Sequence, residues 1–247
     1  MKSSLALLAL LLTGIGATVL HAAPTAEQVI AQARARVGAD ARLKAVRTVT
    51  FEGKSYDAND KEDAYIEIQC KLPNKRREYA LRGDRTVEVI NATNGLEGYF
   101  KTVNIATQQG SVRPIEGAQI KTSIDVLHAD TGFYSVPPQG KVTYLGEGKQ
   151  QGKLCHILEY QYAGGLLFKR YFDKESAALV AYEIYGANTP PDKRRLVVEE
   201  GEILADGIRF PAKSILFDGD KKIATIKYTA VKVNPDIADS VFAFPVP

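Results

Sequence analysis

Histidine and cysteine are too scarce in this chain to build much chemistry. There are three histidines and two cysteines in 247 residues. His21 falls in a leading apolar segment, which leaves His128 and His156, fewer than the three or four ligands a metal centre takes. Cys155 and His156 are adjacent, and in a strand their side chains leave opposite faces, so they cannot pair as nucleophile and base. Glu199 and Glu200 diverge in the same way, against a pair of acid–base carboxylates. An excess of one charge is missing too. The formal net charge of +3 gives no strong pull toward nucleic acid or anionic membrane. Lys75-Arg76-Arg77 reads as a solvated strand start. Gly146, Gly148 and Gly152 do not make a dinucleotide fingerprint, because no helical pattern follows them. Asp218-Gly219-Asp220 reads as a turn. No enzymatic activity, metal or cofactor is expected.

What the chain does have begins with Lys2 and an apolar run from Leu5 to Val19, followed by Leu20-His21-Ala22 ahead of Ala23-Pro24. A positive start, an apolar stretch and a small-residue cleavage site form the pattern of a secretory signal peptide. The alternative, a retained anchor, is disfavoured because a spanning helix needs roughly 20 apolar residues. Residues 1–22 are therefore read as a signal peptide. Residues 23–247 are read as one exported domain, soluble in a bacterial periplasm. In that oxidising compartment Cys70 and Cys155 are candidates for a disulfide, with two buried thiols as the alternative.

Thr25-Ala26-Glu27-Gln28 reads as a capping box opening a helix to Val37, with Gly38 as its stop. Beyond Arg42 the apolar period drops to two. Ala64, Ile66, Ile68, Cys70 and Leu72 share one strand face, and Asn94-Gly95 marks a hairpin. Residues 104–139 break the rhythm with Gly110, Pro114, Gly117, Pro137 and Pro138. They read as loop, short helix over Thr122–Asp130, and loop, an excursion long enough to suggest function. Strands resume at Lys141–Leu145, with a turn expected at Gly146–Lys149, and continue to Val233. The count is about eleven or twelve short antiparallel strands in one mainly β domain, an incomplete barrel or strongly curved sheet.

A sheet this wide is not filled by its own side chains. Two short helices are available to cover its concave side, leaving either a hydrophobic hollow under a lid or a dry, filled core. By alternation, the candidate lining residues are Ile66, Ile68, Tyr79, Leu81, Val87, Val89, Leu158, Tyr160, Phe168 and Ile184.

Several phrases are similar to the LolA/LolB lipoprotein-carrier superfamily. They are Ile68 to Arg76 through Leu72-Pro73-Asn74, Arg85 to Phe100 with its Asn94-Gly95 hairpin, Tyr171-Phe172-Asp173, Asp206 to Pro211, and Asn234, Ile237, Asp239 and Phe242. Together they span the mature chain. The sequence departs from the pattern in having no tryptophan, with Leu96 where the family often carries one nearby. The resemblance implies an incomplete barrel with a helical lid. It also implies a periplasmic carrier for lipid or lipoprotein acyl chains, linked to envelope lipoprotein sorting. A monomer is expected, with an envelope membrane protein as candidate partner. The other function class left open is an envelope interaction or sensor module with a filled core and no catalytic role.

Overall fold

The structure, a computed structural model, describes residues 23–245. The segment read as a signal peptide lies outside these residues. Helix α1 (Ala26–Val37) starts at the expected capping box: the Gln28 amide donates to the Thr25 hydroxyl and the Thr25 amide donates to the Gln28 side chain. A short helix the sequence reading did not separate, α2 (Asp40–Ala45), follows and buries Leu43. The helix of the central excursion, α3, runs over Ala118–Thr131 and is longer than expected.

Thirteen strands, rather than eleven or twelve, form one antiparallel sheet: β1 (Thr48–Asp57), β2 (Glu62–Lys71), β3 (Lys75–Arg82), β4 (Val87–Thr93), β5 (Gly98–Asn104), β6 (Gly110–Ile115), β7 (Lys141–Gln150), β8 (Lys153–Gln161), β9 (Leu166–Asp173), β10 (Leu179–Gly186), β11 (Arg195–Ala205), β12 (Ile208–Asp218) and β13 (Lys221–Val233). The order across the sheet is β6-β5-β4-β3-β2-β1-β13-β12-β11-β10-β9-β8-β7. The chain thus meanders outward from β1 to one edge, crosses to the other edge through α3, and meanders back until β13 pairs with β1. The sheet does not close, because β6 and β7 are separate edges. Its fold is mainly β, an open half-barrel with helices against the inner face.

Two details differ from the sequence reading. Strand β6 occupies part of what read as loop; its Pro114 and its exposed residues hide the strand pattern. Strand β7 runs straight through the expected turn at Gly146–Lys149. There Gly146 takes φ 104°, a region glycine enters freely, and the register slips between Tyr144 and Gly146. The chain turns instead at Gln151-Gly152.

The inner face carries two packed clusters. One joins Val37, Leu43 and Val46 to Val49, Phe51, Cys70, Leu127, Phe133, Ile208 and Phe210, near the β1–β13 seam. The other seats Val29, Ile30 and Ala33 of α1 on Leu158, Tyr160, Phe168 and Phe172. Cys70 and Cys155 are both free and buried. Of the two alternatives left open for them, the structure has the pair of buried thiols: Cys70 lies in the inner cluster on β2, and Cys155 in an outer-face cluster with Tyr171 and Val198. Six strands separate β2 from β8 in the sheet order.

Candidate functional site: a partly polar cavity under the helices

Between the inner face of the sheet and helices α1 and α3 lies a partly open cavity of about 730 Å³. Phe51, Ile68, Phe168, Tyr182, Leu216 and Ile226 line it from the sheet, and Val126, Ala129, Phe133 and Tyr134 from α3 and the loop after it. This hollow is not uniformly oily. Arg76, Glu78, Asp130, Arg170, Glu199 and Ser214 also line it.

The ten residues chosen by alternation divide into five groups. Ile68 and Phe168 line the cavity. Ile66 shares the inner face with Ile68, opposite Gly53, but lies past the lining. Leu158 and Tyr160 also point inward, yet both are fully buried beneath α1 and belong to a dry core, with Ile184 packed beside them. Val87 and Val89 face inward on the far wing, opposite Arg82 and Ala80. Tyr79 and Leu81 face outward, and their assignment to the inner face is corrected. They pair with Glu67 and Tyr65, while the inward phase of β3 is Arg76, Glu78 and Ala80. The reading had followed apolar residues, and on this strand the inner phase is charged.

Arg76 is likewise not part of a solvated strand start. It is buried, donates from Nη1 to Glu78 Oε1 at 2.6 Å, and donates from Nε and Nη2 to Asp130 Oδ2 at 3.3 Å. Asp130 sits in the last turn of α3, so this pair ties the helix to the β3 wing. Burial lifts the Asp130 carboxyl above its ordinary value, with Arg76 opposing the shift. His128 Nε2 lies 3.0 Å from the Pro73 carbonyl oxygen on the same side. At the other wing Asp125 accepts the Gly164 and Leu166 amides at 2.9 and 3.1 Å. Arg34 of α1 donates to the carbonyls of Gly132 and Phe133 at 3.1 and 3.0 Å. The helix is thus held on both sides of the cavity and to its neighbouring helix.

Arg170, on β9, is 3% exposed and sits in an aromatic box. Its guanidinium carbon lies 4.3, 5.2 and 5.4 Å from the ring centres of Tyr160, Phe168 and Tyr134. Nη2 donates to the Tyr162 hydroxyl at 3.2 Å and to the Ala129 carbonyl at 3.4 Å. Nη1 is buried without a partner. Burial pushes the Tyr134 phenol up to about 12 and lifts Tyr160 and Tyr162 as well, so all three stay neutral.

Glu199 accepts from the Ser214 hydroxyl at 3.0 Å. It is partly exposed and lines the cavity. Burial raises its pKa to about 8, with the Ser214 hydrogen bond pulling the other way, so near neutral pH this carboxyl is mainly protonated. Near it, burial also lifts the phenols of Tyr182 and Tyr228. His156 is set apart from this group, its Nδ1 lying 3.1 Å from the Tyr144 hydroxyl. No grouping of three or more metal-ligating side chains occurs among the described residues.

A search by sequence matches no family model and no curated protein. By structure, the chain is similar to a DUF1329 family protein from Desulfovibrio piger, at 11% identity and TM-score 0.58, over 90% of this chain and 98% of that one. It is also similar to a LolA superfamily protein from Nitrosomonas europaea, at 12% identity and TM-score 0.57, over 90% and 99%. A third is a putative outer membrane lipoprotein-sorting protein domain from Vibrio parahaemolyticus, at 11% identity and TM-score 0.56, over 88% and 97%. The fold is therefore LolA-like. At these identities the likeness concerns the architecture.

Proposed function

We propose that this chain is an exported binding or carrier protein for an acylated ligand, a lipid or the acyl chains of a lipoprotein, held in the cavity beneath α1 and α3. The observation that carries the reading is the cavity itself. At about 730 Å³ it falls within the range of roughly 300–1,000 Å³ typical of small-molecule sites. Its lining of Phe51, Ile68, Phe168, Leu216 and Ile226 suits hydrocarbon, which gains about 0.8 kcal/mol for each methylene taken from water. The LolA-like fold supports the same reading, as does the leading segment's export pattern. No helix among the described residues is long and apolar enough to cross a membrane, which agrees with a carrier working between membranes in the periplasm. The protein acts as a monomer and meets an envelope membrane protein when it takes or gives up its load.

The test is to purify the protein from the envelope fraction of cells and identify co-purifying lipid by mass spectrometry of an organic extract. The expected result is one acylated species at near-equimolar amount. A lipid-free protein that also fails to take up a fluorescent fatty acid sinks the reading. An envelope protein cross-linked to that lipid-free form would then favour an interaction or sensor module.

A further inference from the structure

The cations of the cavity are unequally matched. Arg76 has two carboxylates, Glu78 and Asp130, within salt-bridge distance. Arg170 has none within that distance among the described residues. Asp130 lies close enough for Arg170 to favour its ionised form, but its Oδ2 is taken by two N–H groups of Arg76, and the hydrogen bonds of Arg170 go to Tyr162 and Ala129 instead. Glu199 does not fill the gap, because burial keeps it mainly protonated near neutral pH. The tyrosines around Arg170 stay neutral, and their ring faces attract a cation without accepting a hydrogen bond from Nη1. A guanidinium has five donors in a fixed fork that fits carboxylate and phosphate oxygens, and a buried one left without an anion is unfavourable.

We propose that Arg170 anchors the single anionic group of the cavity's ligand, a carboxylate or a phosphate at the end of an acyl chain, with the chain lying along the apolar lining that includes Phe168 and Ile68. The inference rests on the reading of the cavity as an acyl-binding site and adds the chemistry of the ligand's head. Tyr134 stands beside the anchor. It lines the cavity, covers the guanidinium, and sits with Phe133 in left-handed backbone, φ 64° and 46°, which is sparsely populated for aromatic residues. A protonated Glu199 and Ser214 on the same lining leave the ligand's anion with donors nearby, and the carboxylates of Glu78 and Asp130 on that lining are matched by Arg76.

The experiment is isothermal titration calorimetry of the purified protein near neutral pH with four probes below their aggregation limits: dodecanoate, dodecyl phosphate, 1-dodecanol and inorganic phosphate. The two anionic amphiphiles are expected to bind about tenfold or more tighter than the alcohol, the scale of one charge-assisted hydrogen bond. Inorganic phosphate is expected to bind far more weakly than dodecyl phosphate. In R170Q the preference for anions disappears while dodecanol binding is kept. R170K retains the cation without the fork and weakens both anions, again sparing the alcohol. Equal binding of all three chains, or a preference that survives in R170Q, overturns the anchor while leaving the acyl-binding reading intact. No binding of any chain defeats that reading instead. Inorganic phosphate binding as tightly as dodecyl phosphate makes the site a free-anion site and overturns the acyl part of the inference. Should R170Q fail to fold, the selectivity of the unmodified protein and the R170K result decide the question.

Discussion

Asp130 is placed against its own helix. It lies in the last turn of α3, where the negative end of the helix dipole disfavours a carboxylate. Arg76 beneath it supplies the compensation, and the buried guanidinium in turn needs a carboxylate beside it. Among the described residues Glu199 has no such cation partner, only Ser214, and this difference is measurable. In the unfolded chain its carboxyl titrates at about 4.3, whereas the folded protein holds the proton up to about 8. Between those values the folded state binds more protons than the unfolded one. Stability is therefore highest below the unfolded pKa and falls as pH rises through this window, by at most about 1.4 kcal/mol per pH unit from this one group, then levels off. Glu199→Gln should remove that slope. Urea unfolding of both proteins at intervals from acidic to mildly alkaline pH checks it, and parallel stability curves would contradict the buried, protonated carboxyl. Arg170 was legible in principle: it stands in phase between Phe168 and Phe172 on an otherwise apolar face. A charge at such a position marks a function or a partner, and a reading that collects only the apolar members of the alternation passes over it.

Helix α3 works as a strut across the mouth of the half-barrel, and its attachments show how closely it is fitted. Its Asp125 side chain caps the turn between β8 and β9 by accepting two amides, and Gly164 of that turn lies directly under the helix. A Cβ on Gly164 would come within 2.6 Å of Asp125 Oδ2 and 2.7 Å of the Lys121 carbonyl oxygen, contacts that real side chains do not make. Gly164→Ala must therefore push the helix off the turn. It should lower global stability by about 1–3 kcal/mol, the usual cost of overpacking, and loosen α3 more than the sheet. Chemical-shift changes spread evenly over the protein, with α3 amides as protected as before, would refute the strut. The sequence showed that a helix belonged here, through the spacing of Ile124, Val126 and Leu127, but not its partners. Arg76 and Gly164 are far in the chain from Asp130 and Asp125 of α3, and only the meander, by bringing opposite wings to the helix, makes them neighbours. Strand β6, just before the helix, was hidden for a local reason: Gly110 and Pro114 punctuate it like a loop, and five of its six residues are exposed.

At the scale of the whole molecule, the pattern of alternation was enough to indicate an open, many-stranded antiparallel wall, because each hairpin is written locally in its turn residues. The seam was not written anywhere: β1 and β13 pair across almost the full length of the chain, from Val49 opposite Val233 to Asp57 opposite Ala224. That seam makes the sheet continuous, and the packing around it is uneven. The large inner clusters cover β1, β2 and β12 on one side of the cavity and β8 and β9 on the other. The β4–β5 wing has only the small cluster of Ile90, Ala92 and Tyr99 with Phe244 against it, and β6 is paired along one side only. Amide groups protected by packed apolar surface open with the whole molecule, whereas those on a thinly covered edge open locally at much lower cost. The amides of β5 and β6 should therefore exchange with solvent faster than those of β1, β8 and β9 by roughly a hundredfold or more, following the packing and not the distance from either chain end. Hydrogen exchange followed by mass spectrometry of peptides resolves these strands. Uniform protection across all thirteen strands would mean that the wing is held by something other than the two inner clusters.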